Sequence, residues 1–226
     1  MRGDSRPVDK LDRGGEQRPT RGGNLHGPMA YESFTLQDVK EKLGLSVREA
    51  PGIFADVPPA KPSAWLEETL REGAPLALAF STEKARSEWI IAPILLELRR
   101  QHGAGLSLFS GANFNVDDAR GLVGFCDWII TRSPEMLAIE APVVAVVEAK
   151  NEDLRRGVPQ CIAEMYAAQL FNERRCQPRE STYGVVTTGN VWRFLRLRGT
   201  VAEVDMTELY MHQLDRVLGV LLAMTS

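Results

Sequence analysis

Apolar positions recur along this chain with two periods, one helical and one extended, and the two alternate in a definite order. Residues 1–29 carry little apolar content and repeated Gly, Pro and Arg, so a disordered tail is expected there. From Tyr31 the pattern tightens. Thr35, with Asp38 three positions on, makes a capping-box start for a helix that runs to about Leu43, where Gly44 can stop it. Pro51, Pro58, Pro59 and Pro62 mark a loop over 50–62. A short helix is predicted over 64–72, and 75–80 reads as a strand or an extended lead-in. Ser81 can cap the next helix, over 81–100, with Glu83 in its first turn. Trp89, Ile90, Leu95, Leu96 and Leu98 give that helix its apolar face, and Pro93 should kink or restart it.

Strand signals follow. Residues 106–116 read as extended, with Gly111 as a bulge candidate, and 121–131 as a second strand. The Val/Ala run over 143–150 predicts a strand buried on both faces. A helix over 159–172 shows Ile162, Met165, Tyr166 and Leu170 on one side. Strands over 183–188 and 191–198 flank the turn-rich Thr188-Gly189-Asn190, and 201–204 suggests an edge strand. Thr207 is placed to cap a final helix bearing Leu209, Leu214, Val217, Leu218 and Leu221. No internal repeat is present.

These elements predict an α/β fold with a central mixed β-sheet flanked by helices. The expected organisation is a tail over 1–29 and one domain over 30–226, divided into a helical lead-in, 30–80, and a core, 81–226. A length of 226 residues, 44% of them hydrophobic and 25% charged, suits one soluble globular domain with a tail. No apolar run approaches the roughly 18 residues a membrane helix needs, and the N-terminus lacks a secretory pattern, so a cytoplasmic location is expected. Cys126, Cys161 and Cys176 fit no zinc spacing and no disulfide framework. They read as small buried or incidental thiols. A net charge of −3 argues against a broadly basic nucleic-acid binder but leaves room for a local basic strip.

Chemistry concentrates at two strand ends. Asp127 interrupts the apolar strand Gly124-Phe125-Cys126-Asp127-Trp128, where a lone carboxylate is costly unless compensated. Glu148 and Lys150 close the buried run two residues apart, so both emerge from one face with α-carbons about 6.6 Å apart. An Asp and a Glu on neighbouring strand ends repel unless a cation sits between them. Mg2+, with Mn2+ as a substitute, suits such a site because it binds through one or two carboxylates and keeps waters and phosphate. Lys150 would orient or deprotonate the attacking water, or stabilise developing charge.

Asp127, a gap of about twenty residues, and Glu148-Ala149-Lys150 at a strand end together resemble the PD-(D/E)xK, restriction-endonuclease-like nuclease superfamily. The likeness spans roughly residues 80–199. It implies that Asp127 and Glu148 bind the metal, that Ala149 offers a backbone carbonyl and that Lys150 assists the water. It also assigns Gln160, on the following helix, to the catalytic set. Glu88 matches the extra acidic residue that many members place near the metal. The chain departs from the family in having Cys126 rather than Pro before Asp127, and Glu164 where some branches carry Tyr.

The expected function is therefore Mg2+-dependent hydrolysis of phosphodiester bonds in DNA, ahead of RNA, with a homodimer or a partner protein as a further option. The alternative is a catalytically silent or partner-gated relative serving as a binding or scaffold subunit. Arg193, Arg196 and Arg198 beside Trp192 and Phe194 would make a backbone groove with stacking faces, or a charged edge that deters aggregation. Arg155 and Arg156 would either touch phosphate or belong to the same kind of charged edge. His102 and His212 have no nucleophile partner that the sequence can place, and no dinucleotide fingerprint or Walker A segment occurs.

Overall fold

A computed structural model describes residues 30–226, so the reading of 1–29 as a disordered tail lies outside the described residues. Eight strands form one mixed sheet: β1 (Ser46–Ala50), β2 (Ser107–Asn113), β3 (Phe125–Thr131), β4 (Val143–Ala149), β5 (Thr182–Thr187), β6 (Val191–Arg198), β7 (Val201–Asp205) and β8 (Leu209–Tyr210). Their order is β1-β7-β6-β5-β4-β3-β2, with β8 paired to β6 off this path. The β1–β7 and β4–β5 pairs are parallel and the others antiparallel. The mixed α/β class expected from the sequence is present.

Helices cover both faces. On one side α2 (Ala64–Phe80), α4 (Ala92–His102) and α6 (Leu214–Thr225) bury Leu66, Leu70, Ile94, Leu98 and Leu218 against Val147 and Val185. On the other, α1 (Leu36–Glu41) and α5 (Leu154–Arg174) bury Val39, Ile162 and Met165 against Val146 and Val186. A short α3 (Glu83–Arg86) runs through a π-helical turn, Ser87–Ile91, into α4. Every residue of β4 is buried, as its unbroken apolar run requires in a strand covered on both faces.

The structure differs from the expected elements in several places. Ser81 does not cap the next helix: it ends α2 with a φ of 52°, and Thr82 accepts the Ala85 N–H instead. β1 was not anticipated: its sequence, SVREA, has no apolar signal, and it forms by parallel pairing with β7. Residues 75–80, expected to be extended, continue α2, because Leu70, Ala74 and Ala77 form a buried stripe whose packing outweighs the roughly 3 kcal/mol that an internal proline costs. The helix expected over 159–172 starts earlier, at Leu154, where the Asp153 side chain accepts from the Arg155 N–H and caps it. β3 begins only at Phe125, after glycines with left-handed φ of 73° at Gly121 and 131° at Gly124. Thr207 does not cap the last helix. Its hydroxyl accepts from the Gly52 N–H, and β8 intervenes before α6 begins at Leu214. Among the described residues no helix is long and apolar enough to cross a membrane.

Candidate metal centre

β3 and β4 place the two carboxylates side by side. The ladder pairs Trp128 with Val147, and one step further puts Asp127 opposite Glu148. Asp127 Oδ2 accepts the Ala149 N–H at 2.8 Å, so a main-chain bond fixes this carboxylate. On the other side of β3, Gly111 of β2 stands opposite Asp127 in the register, with a φ of 57°. A Cβ at Gly111 would meet nothing within 4 Å, so the space beside Asp127 is open.

Glu148 and Lys150 face α5, as their two-residue spacing requires. Lys150 Nζ is ion-paired with Glu148 Oε1 and lies 3.3 Å from Gln160 Oε1. The Gln160 amide in turn donates to Glu164 Oε1 at 3.1 Å. A chain of contacts thus runs from Glu148 through Lys150 and Gln160 to Glu164, which is fully buried. Gly157 makes room for the lysine: a Cβ there would stand 3.1 Å from Lys150 Cγ and 2.6 Å from Val186 Cγ1.

Electrostatics follow from this crowding. Burial, reinforced by the charge of Asp127 and only partly offset by Lys150, pushes the Glu148 carboxyl up to about 7. Burial also raises Asp127, against the opposing bond from Ala149 N–H and the charge of Lys150, with Glu83 adding to the rise. Burial and the neighbouring Glu148 hold Glu164 well above the carboxylate range. For Lys150 burial pulls downward, but the charge and hydrogen bond of Glu148 outweigh it and the ammonium is stabilised. Glu148 Oε2 and Glu164 Oε2 are both buried without a hydrogen-bond partner among the described residues.

Asp127, Glu148, Lys150 and Gln160 line one cavity of about 300 Å³ together with Tyr31, Glu83 and Phe125. The structure therefore brings together four of the residues singled out in the sequence. Glu88 lies apart from them. It is exposed, faces Lys84 at 3.7 Å, and borders a second recess of about 330 Å³ that also touches Asp127 and Ala149. Glu83 borders both recesses, and its Oε1 accepts the Asn151 N–H at 3.1 Å. It stands nearer the centre than Glu88, although the sequence suggested only a first-turn dipole role for it. Glu164 was also missed as a site residue. Its signal was a carboxylate four positions after Gln160 on a helix side otherwise occupied by apolar residues.

Of the two readings of the β6 arginines, a groove with stacking faces is not formed. Trp192 and Phe194 are fully buried in the core and offer no stacking face. Arg193 pairs with Glu208, and Arg196 with Glu203 at 2.6 Å. Cys126 and Cys161 are buried, Cys176 is exposed, and all three are free thiols. His102 bonds the Thr225 carbonyl oxygen at 2.9 Å, and His212 stacks on Tyr210, so each has a local structural partner.

Among the described residues no group of three His, Cys, Asp or Glu side chains stands ready to hold a metal by itself. The donor set nevertheless suits a hard cation. It consists of two adjacent carboxylates, both raised by burial, with the charge of Asp127 adding to the rise of Glu148, and one buried Glu148 oxygen has no hydrogen-bond partner among the described residues. The chain matches no known protein family, and comparison with curated proteins gives no significant relative.

Proposed function

We propose that the chain is a Mg2+-dependent nuclease of the restriction-endonuclease-like type, hydrolysing phosphodiester bonds of DNA. One observation carries this reading: Asp127 from β3 and Glu148 and Lys150 from the end of β4 meet in a single open cavity. Asp127, Glu148 and the main chain of Ala149 would hold the cation. When bound, it would polarise the phosphate and lower the pKa of a coordinated water. Lys150, freed from Glu148 once that carboxylate turns to the cation, would sit within reach of the water and the developing negative charge. Gln160 would keep the ammonium aimed at the cavity, because its own amide is held by Glu164.

The test is incubation of purified protein with supercoiled plasmid, linear duplex and single strands, in Mg2+, Mn2+ or EDTA, beside Lys150→Ala and Asp127→Asn. Metal-dependent cutting that both variants lose supports the assignment. Cutting that survives in both places the chemistry elsewhere.

A second reading, a partner-gated or silent subunit, draws on the Lys150–Glu148 ion pair and the Asp127–Ala149 bond, which leave the polar groups largely satisfied by one another. In that case metal would bind without cutting until a partner opened the pair.

A further inference from the structure

Phe125 is 67% exposed, on the strand that carries Asp127 two residues later. Alternation along a strand puts both side chains on one face. The ring therefore lines the same 300 Å³ cavity as Asp127, Glu148 and Lys150. Its cross-strand neighbour is Asn113, and among the described residues no aromatic or guanidinium contact engages it. Exposed Trp65, by contrast, lies under Arg100 at 4.8 Å. The backbone beneath Phe125 is braced: Gly124 N–H donates to Asn115 Oδ1 at 2.9 Å and Gly124 O accepts from Phe114 N–H at 2.8 Å. An apolar ring on a braced strand is thus presented to water beside a charged centre.

The cavity joins two chemistries that a nucleotide also joins. Its carboxylates and Lys150 suit a cation with a phosphate, and Phe125 offers a flat apolar face. A volume of about 300 Å³ lies at the small end of ligand sites, the scale of a single small ligand rather than a duplex groove. A base inside a duplex is already stacked on its neighbours, so only an unpaired base has a face to give. The aromatics at β6 cannot serve, because they are buried.

We propose that Phe125 stacks on the base of the nucleotide next to the scissile phosphate, so that the substrate is single-stranded or frayed nucleic acid, read without sequence preference. This rests on the nuclease reading above.

The experiment compares wild type, Phe125→Ala and Phe125→Trp on an end-labelled single strand and on a blunt duplex of the same sequence, in Mg2+. A parallel arm follows the fluorescence of a single strand containing 2-aminopurine with Ca2+ in place of Mg2+, so that binding is read without turnover. The single strand should be cut at least about 10-fold faster than the duplex. Phe125→Ala should lose about 10-fold on the single strand alone, within the range that removal of one stacking contact produces. Phe125→Trp should retain cutting, and wild type but not Phe125→Ala should quench the fluorophore. Blunt duplex cut as fast as single strand, or Phe125→Ala equal to wild type in both arms, overturns the proposal. If nothing is cut in any metal, the nuclease reading fails, and the fluorescence arm decides stacking independently: quenching abolished by Phe125→Ala supports it, and no quenching overturns it.

Discussion

Gly157 of α5 lies against the stem of Lys150, leaving no room for a Cβ between that side chain and Val186. The close approach lets the ammonium reach Glu148 and Gln160 while α5 stays packed on the sheet. Alanine at 157 would gain up to about 1 kcal/mol of helix propensity. Overpacking would cost about 1–3 kcal/mol, so the clash wins. Gly157→Ala should lower the denaturation midpoint and reduce metal-dependent cutting, since either α5 or Lys150 must move. Unchanged stability together with unchanged activity would show that the helix shifts freely and that the contact is incidental.

Asp127→Asn keeps an oxygen able to accept the Ala149 N–H. The fold should therefore survive, with stability within about 1 kcal/mol of wild type, the net worth of one hydrogen bond. What it removes is the charge that holds a cation. Wild type should gain melting temperature with added Mg2+, as a ligand of the folded state requires. The variant should gain none. A variant that is stabilised as much as wild type would exclude Asp127 from the metal site.

With the Glu148 carboxyl raised to about 7 from 4.5, the folded state holds a proton that a bound cation must displace. Apparent metal affinity should rise with pH through the window up to about 7 and then level off. Binding below 7 should release protons, measurable by titration calorimetry in buffers of different ionisation enthalpy. Affinity independent of pH from 5 to 8 would show that Glu148 is not a ligand.

Glu164 is buried with its carboxyl held well above the usual range. Above about pH 4.5 the unfolded chain ionises this residue while the folded chain keeps the proton, so stability is lost as pH rises toward the folded value. Glu164→Gln removes that linkage and still offers Gln160 an acceptor. Relative to wild type, the variant should be more stable at pH 8 than at pH 5, read from urea midpoints at the two pH values. The opposite trend would mean that Glu164 is ionised in the folded protein.

Asn172, near the C-terminal end of α5, accepts the Val143 N–H and donates to the Val143 carbonyl, both at 2.7 Å. Asn172→Ala would leave two buried main-chain groups unpaired, at about 1–3 kcal/mol each. Thermal or chemical unfolding should register a loss on that scale. A change below about 0.5 kcal/mol would mean that water replaces both bonds.

The sequence alone determined a good deal. The unbroken run before Glu148 predicted a strand covered on both faces, with helices on either side, and the structure has both. The two-residue step from Glu148 to Lys150 placed both side chains on one face, and the structure puts them against α5. Short-range patterning carries such information because local geometry decides it. Partners distant along the chain were decided only by tertiary structure. β1 has no apolar signature and exists through β7. Pro75 did not end α2, because a buried stripe overrode it. The burial of Trp192 and Phe194, the exposure of Phe125, the approach of Glu83 and the placing of Glu164 behind Gln160 all depend on which surfaces the sheet and helices bring together. A period identifies an inward face, but what that face meets is a property of packing, and packing also fixes the electrostatics of this site.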